Sequence, residues 1–299
     1  MAGSNVIKIE IGGYELEFTG ADDGATLSGA KGNGSRLAVP DKAGDLPVTC
    51  IGKKAFLADK SLKEISIPET VSLVDDWAFA GCENLRTFIK RGSANISFGS
   101  RVFDKCTRVE NICLGYEEPD DLSHLMGTVI YRMPAEYLLK DTYIGSREWY
   151  EKWDMCLGTF INEPDEDGYT DLVLCGEEDI FYNEPDFAEN KRKKKASLCL
   201  TRLMHPENLG PDFKSKYVSY LMEHTKGSKT EEGWLVLLDE YGEQTDYFKL
   251  FYDTGCINRE NIDSMLTDMG GIHAEAKAYM LSLKRDKFSA GDIFSQFVL

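Results

Sequence analysis

Between Ile51 and Ile112 the apolar positions recur in a fixed frame. Phe56, Phe79 and Phe103 stand 23 and 24 residues apart, and the same register links Leu62, Leu85 and Val109, and then Ile65, Phe88 and Ile112. Five residues before each Phe stand Ile51, Val74 and Phe98; three residues after it stand Asp59, Cys82 and Cys106. A single unit of this length cannot bury its apolar face alone, so each recurring position turns inward and stacks on its neighbours. The alternation Leu62-x-x-Ile65-x-Ile67 predicts a strand, which Pro68 ends by removing a backbone donor. Gly52, Gly81 and Gly99 predict corners that need a permissive backbone. A degenerate earlier unit is visible at Ala25–Gly29 and Leu37–Pro40. Before it, Gly12-Gly13 between IKIEI and YELEF predicts a hairpin turn. Gly29-x-x-Gly32-x-Gly34 has no phosphate-loop context and predicts a loop of that first unit.

A period of 23 to 24 lies in the leucine-rich-repeat range. The stretches AFAGCENLRTF (78–88) and SLKEISIPETVSLVDDWAF (61–79) resemble the BspA-type leucine-rich repeat. GATLSGAKGNGSRLAVPDKAGDLPVTCIGKKAF (24–56) is similar to the opening of such arrays. The resemblance covers about residues 20–115. It implies a short solenoid in a family associated with surface adhesion and protein contacts, and it brings no catalytic motif.

From Asp186 onward the apolar spacing becomes helical. A long amphipathic stretch runs from Phe187 to Met204, and breaks follow at Pro206 and Gly210-Pro211. Further helices are predicted at 213–223, 231–241, 246–254, 259–269 and 273–284. Gly242, Gly255 and Gly270-Gly271 follow them as expected C-terminal caps, and such short links make the helices antiparallel neighbours. Tyr217, Tyr247 and Ala276 are 30 and 29 apart, as are Tyr220, Leu250 and Tyr279, and Leu221, Phe251 and Met280. DYFKLFYDTGCINRENIDSML (246–266) with AEAKAYMLSLK (274–284) resembles degenerate ankyrin-like tails over roughly 196–288. The Thr-Pro-Leu-His signature of ankyrin is absent, and another stack of helical hairpins fits the same spacing.

Charge separates these two regions. The 299 residues carry 51 Asp+Glu and 34 Lys+Arg, a net charge of −17. Between Glu110 and Asn190 there are 21 acids and 4 bases, so this middle segment holds the whole imbalance. The sign then flips at Lys191-Arg192-Lys193-Lys194-Lys195. An acidic chain of this kind argues against general nucleic-acid binding, which needs clustered basic surface. No apolar run has the length of a membrane span. The start MAGSNVIKIEIGG lacks a basic region followed by an apolar core, so the expected location is the cytoplasm, with the cell surface as the alternative.

Candidate chemistry adds little to this picture. Eight cysteines lack Cys-x-x-Cys spacing and read as reduced structural thiols rather than a zinc site. No Cys–His pair stands in a recognised local context. Glu163-Pro164-Asp165-Glu166-Asp167-Gly168 has the acids and glycine of a calcium loop but Leu174 where the bidentate Glu belongs, so it reads as a turn with its acids in solvent. Lys191–Lys195 follows Glu184, Asp186 and Glu189 on one predicted helix. It reads as a solvated helix face docked on the acidic middle, with partner contact as the other reading. SREWYEKWDMCLGTF predicts a helix from Ser146, with Trp149 and Trp153 one turn apart; core packing in a cap and an aromatic anchor for a partner are both open.

The fold class expected is α+β. A leucine-rich-repeat solenoid is assigned to 1–118, an acidic aromatic capping or junction segment to 119–185, and a helical, ankyrin-like array to 186–299. The expected function is a non-enzymatic protein-interaction scaffold without cofactor or metal. Its partner is expected to be a protein, a basic one steered by the acidic middle. Candidate contact residues are Trp149, Tyr150, Trp153, Asp165, Asp167, Lys193 and Lys194. Adhesion to host proteins or glycans, and an enzyme with a site at the solenoid–helical junction, are the alternatives. Partner identity and oligomeric state are not legible in the sequence.

Overall fold

The computed structural model describes residues 6–21, 23–92, 96–115, 119–130, 135–139, 142, 144–168 and 184–288. The chain divides into two compact units, Met1–Cys156 and Leu157–Leu299.

The first unit opens with an antiparallel hairpin, β1 (Val6–Ile11) and β2 (Tyr14–Ala21), turning at Gly12-Gly13 as the sequence predicts. Strand β3 (Gly24–Gly32) pairs antiparallel with β2 and then parallel with the next coil. This corrects the expected loop at Gly29–Gly34. The glycines there serve close approach: a Cβ on Gly32 would lie 2.2 Å from the Gly13 carbonyl, and one on Gly34 2.0 Å from that of Gly12.

About four coils follow, each giving one strand to each of two parallel ladders. One ladder runs β3, β6 (Leu46–Ile51), β8 (Leu73–Val74) and β10 (Ser97–Phe98), with β5 (Lys42–Ala43) paired off β6. The other runs β4 (Arg36–Ala38), β7 (Glu64–Ile67), β9 (Thr87–Lys90) and β11 (Asn111–Leu114). Ile51 pairs with Val74 and Val74 with Phe98; Leu37 pairs with Ile65, Ile65 with Phe88 and Phe88 with Ile112. The sequence columns are therefore the ladder partners themselves. Phe56, Phe79 and Phe103 form a continuous stack at the centre, with centroids 5.0 and 5.6 Å apart.

The corners work differently from the glycine expectation. Two positions per coil are left-handed: Lys54, Trp77 and Arg101, two residues before each Phe, and Ala58, Gly81 and Lys105, two residues after it. That alternation turns every second N–H toward the next coil. Lys54, Phe56 and Ala58 donate to Asp76, Ala78 and Ala80, and Trp77, Phe79 and Gly81 donate to Ser100, Val102 and Asp104, all at 2.8–3.1 Å. A left-handed non-glycine residue costs about 1–2 kcal/mol, but an interior N–H left unpaired costs as much. Gly52 and Gly99 lie outside the left-handed region and serve close approach instead, to Leu27 and Asp76 of the preceding coils.

Helix α1 (Asp121–Val129) closes the last coil by packing on β11. Asp120 and Ser123 form a reciprocal capping box at its start, each side chain accepting the other's backbone N–H at 2.7 and 2.8 Å. Gly127 lets it approach so closely that a Cβ there would stand 2.3 Å from the Glu110 carbonyl. Helices α2 (Ala135–Leu139) and α3 (Arg147–Asn162) follow. Ser146 Oγ accepts the Trp149 N–H at 3.1 Å, starting α3 where the sequence places it, and the unit boundary falls inside this helix.

The second unit is helical: α4 (Glu184–Met204), α5 (Pro211–Glu223), α6 (Glu232–Tyr241), α7 (Thr245–Asp253), α8 (Ile262–Asp268) and α9 (Ala274–Leu283). Helices α5, α7 and α9 occupy equivalent places in the 30-residue repeat. Tyr217, Tyr247 and Ala276 are buried, as are Leu221, Phe251 and Met280. The loops after α5 and α7 are tied together: Asn261 Nδ2 donates to the carbonyls of Lys226 (3.2 Å) and Cys256 (2.8 Å), and Thr225 Oγ1 donates to Cys256 (3.3 Å). Among the described residues no helix is long and apolar enough to cross a membrane.

Candidate interaction sites

The solenoid carries one surface that follows directly from its corner geometry. Because Lys54, Trp77 and Arg101 hold the same left-handed position on successive coils, their side chains form a ladder on the outside. Lys54 and Arg101 are exposed and Trp77 is half-buried. The ammonium groups of Lys54 and Lys53 lie 4.9 and 5.4 Å from the Trp77 ring centroid, within cation–π range. Lys53 also reaches Asp76 at 3.5 Å. Ion pairs between coils flank the ladder, Lys60 with Glu83 and Arg86 with Glu110. Sequence reasoning singled out none of these four residues. The signal was present, since Lys54, Trp77 and Arg101 occupy one repeat column, but only the ladder shows that this column faces outward.

The sequence-derived candidates are distributed otherwise. Trp149, Tyr150 and Trp153 are 0–2% exposed, so they offer no ring to a partner. An aromatic anchor needs an open face, and the partner-contact expectation for these three is corrected on that ground. Lys193 pairs with Glu189 at 2.7 Å along α4, and Lys194 is exposed.

Asp165 belongs to an internal lock. The 163–168 turn offers carbonyls as a cation loop would, and the chain's own ammonium groups take them. Lys191 Nζ donates to the carbonyls of Pro164 (2.9 Å) and Asp167 (3.0 Å). Lys195 Nζ donates to the carbonyl of Glu163 (2.5 Å) and the carboxylate of Asp165 (2.7 Å). Both ammonium groups also stand over the Phe160 ring, at 5.8 and 5.6 Å. Two lysines of the basic run are thus buried and docked on the acidic middle, which corrects the picture of a uniformly solvated face and of Asp165 as a free contact. The Asp167 residue is exposed. Among the described residues no group of His, Cys, Asp or Glu is arranged to hold a metal ion.

Arg192, between these lysines, joins the turn to α6. Its guanidinium meets Glu232 at 2.6 Å and Asp165 at 3.5 Å. Glu232 is buried beside His224, whose Nδ1 lies 2.6 Å from the Thr230 hydroxyl and 3.7 Å from the Glu232 carboxylate. Burial alone pushes the Glu232 carboxyl up, but hydrogen bonds from Thr230 and Arg192 outweigh it and hold the carboxyl below its usual range. Burial holds the His224 imidazole below its ordinary value.

Seven described cysteines are free, and Cys175 lies outside the described residues. Cys82 and Cys106 share a column and a bond: each thiol donates at 3.1 Å to the carbonyl of the Phe one coil earlier, Phe56 and Phe79. Burial pushes the Cys82 thiol up to about 12 and raises that of Cys106 further. At the first coil Asp59 takes the place of Cys. Its carboxylate accepts the N–H groups of Ser61 (2.8 Å) and Leu62 (3.1 Å) and lies 2.7 Å from the Tyr14 hydroxyl of the hairpin.

Two parallel ladders, a phenylalanine spine and cysteine rungs at Cys82 and Cys106 describe one repeat type. Residues 44–122 match the BspA type leucine rich repeat region. None of the curated proteins matches the sequence significantly. Five solved chains match it, leucine-rich-repeat proteins among them. A leucine-rich-repeat protein of T. pallidum is 24% identical over 36% of this chain and 50% of its own, with a TM-score of 0.32. One from Bacteroides capillosus is 22% identical over 35% of this chain and 86% of its own, with a TM-score of 0.27. The pneumococcal vaccine antigen PcpA is 13% identical over 36% and 37%, with a TM-score of 0.25. The chain thus spans half of the T. pallidum protein. The BspA-type region leaves the helical unit uncovered.

Proposed function

We propose that this protein is a non-enzymatic protein-interaction scaffold whose leucine-rich-repeat unit presents the Lys53–Lys54–Trp77–Arg101 ladder to a partner. The observation that carries this reading is the ladder itself. Repeat coils stack side chains at a fixed spacing on a rigid backbone, and Trp and Arg are the residues that dominate interface energetics. A ladder of this composition fits a protein segment bearing carboxylates. The helical unit, which we read as an ankyrin-like stack of hairpins, adds a second repeat surface, and the cytoplasm is the proposed compartment. Affinity purification with the full chain, compared with the double variant Trp77→Ala and Arg101→Glu, tests the reading. A protein recovered by the wild type and lost by the variant supports it. Partners recovered equally by both overturn it.

A second reading is favoured by the exposed carboxylates of Glu166 and Asp167 in an acidic stretch. These suit a basic partner, whose association rate falls steeply with salt. A partner bound at a salt-independent rate overturns that reading.

A further inference from the structure

We propose that strand β1 is a self-complementary edge through which two copies of this chain pair antiparallel, forming a continuous sheet across a two-fold axis at Ile9.

Strand β1 is the outermost strand of its sheet among the described residues, bonded to β2 on one side. Its open side is fixed by the turn. Gly12 and Gly13 both have positive φ, 60° and 84°, which makes a two-residue hairpin loop that closes on a hydrogen-bonded pair. That pair is Ile11 with Tyr14, and in an antiparallel ladder such pairs alternate. Ile7, Ile9 and Ile11 therefore spend their N–H and carbonyl groups on β2, while Val6, Lys8 and Glu10 point theirs outward.

A two-fold pairing on the outward side must match even-numbered residues with even-numbered ones. Centring it on Lys8 or on Glu10 sets like charges directly opposite each other, which is unfavourable. Centring it on Ile9 sets Lys8 opposite Glu10 of the second copy, and Glu10 opposite its Lys8. On the other face Ile7 then meets Ile11 of the second copy, and Ile9 meets Ile9. Both faces are satisfied in the same register.

The surroundings favour this occupant. Exposed lysines are a common guard on sheet edges, but Lys8 is drawn back over β2, at 2.9 Å from Glu15 and 3.0 Å from Glu17. Glu10 stands directly opposite Glu15, a like charge, so its own hairpin gives it no cation across the pair. On the inner face Leu16 and Phe18 are fully buried, yet Ile11 is 37% exposed and Ile7 and Ile9 are half-buried. A second copy covers the uncovered half of that face and brings its Lys8, whose side chain is 53% exposed, opposite Glu10, to be shared with Glu15 and Glu17.

The test is sedimentation of the full chain from low to high micromolar concentration. Wild type is expected to dimerise as concentration rises. Glu10→Lys and Lys8→Glu each place like charges opposite at both ends of the pairing, and each is expected to weaken the dimer at least about tenfold. Glu10→Lys also gains Glu15 as a neighbour, so its hairpin stays folded, and an unchanged melting curve verifies this. Mixing the two variants restores both opposite pairs, and the mixture is expected to recover the dimer. A wild type that stays monomeric overturns the proposal. So does a dimer untouched by both substitutions, or a mixture that fails to pair.

Discussion

Phe56 and Phe79 stack with ring centroids 5.0 Å apart and planes 11° from parallel, and Phe103 continues the pile at 5.6 Å from Phe79. The middle ring also meets Phe88 edge-on at 5.6 Å, so Phe79 belongs to both the vertical stack and the strand layer. Nearest-neighbour packing is what holds a solenoid together, and a hole at this position uncouples the coils above and below it. Phe79→Ala is expected to cost about 3–5 kcal/mol in urea unfolding. Phe79→Leu, which keeps most of the volume, is expected to cost less than half of that.

The left-handed corners invert a usual rule. Replacing Ala by Gly normally destabilises, because glycine loses more freedom on folding. Ala58 has φ 58° and an exposed side chain, and its column partner one coil on is Gly81, at φ 76°. Ala58→Gly is therefore expected to stabilise the solenoid by about 0.5–1 kcal/mol, since the strain removed exceeds the freedom lost. Gly81→Ala is expected to destabilise it by at least as much. Urea unfolding of the two single variants reads both signs.

Most of the solenoid was legible because its chemistry repeats. Each apolar column needs the same residue class at every coil, so Ile65, Phe88 and Ile112 announce a ladder before any coordinates exist. The corners were not legible in the same way. Lys54 and Arg101 share a charge but not with Trp77; what all three share is a backbone conformation, which is set by where the next coil's carbonyls lie. The site residues failed for a related reason. A tryptophan pair one turn apart looks the same whether it points at a core or at solvent, and Trp149 and Trp153 point at the core. The lock at Lys191 and Lys195 was half legible. Charge pattern brought the basic run to the acidic turn, but sequence spacing does not show that carbonyl oxygens rather than carboxylates would receive most of the bonds.

The cysteines separate by burial. Desolvation raises all five of these thiols, but Cys50 and Cys156 are partly exposed, whereas Cys82, Cys106 and Cys199 are buried. Only the thiolate alkylates readily. In the folded protein at mildly alkaline pH, iodoacetamide is expected to label Cys50 and Cys156 first, and to reach the other three only after denaturation. The raised Cys82 value also sets a direction with pH. Its contribution to stability is complete below the ordinary thiol value of 9.0 and declines as pH rises from there through about 12. Peptide mass spectrometry after timed labelling checks the order of modification.

Lys193 and Lys195 lie two residues apart on one helix and are expected to behave in opposite ways. The Lys195 side chain is 2% exposed and holds the Glu163 carbonyl and the Asp165 carboxylate, whereas Lys193 pairs with Glu189 at the surface. Removing the Lys195 ammonium leaves the Glu163 carbonyl without this donor and Asp165 with only Arg192 among the described residues, at 3.5 Å, an expected cost of about 1–3 kcal/mol. Surface pairs within a helix contribute about 0.3–0.5 kcal/mol. Lys195→Met is therefore expected to lower the melting temperature of the helical unit sharply, and Lys193→Met to leave it nearly unchanged at any salt concentration. Equal melting of the two variants would remove the lock from the account of α4.

Acid should loosen the helical unit in two windows. His224 and Glu232 both have folded-state values below their ordinary ones, so at low pH the unfolded chain takes up protons more readily at both sites. Stability from His224 is complete above the ordinary value of 6.5 and is lost as pH falls below it; stability from Glu232 is complete above 4.5 and is lost below that. The two groups can be told apart by substitution. The His224 ring stacks on Tyr220 with centroids 4.2 Å apart, so His224→Phe keeps the ring while removing the titration, and the upper window is expected to flatten. Glu232→Gln leaves the Arg192 guanidinium short of its nearest carboxylate. It is expected to cost about 3 kcal/mol at neutral pH and to flatten the lower window. Thermal melts of both variants between neutral pH and about pH 3 resolve the two limbs. Identical profiles for wild type and both variants would show that neither group drives the acid response.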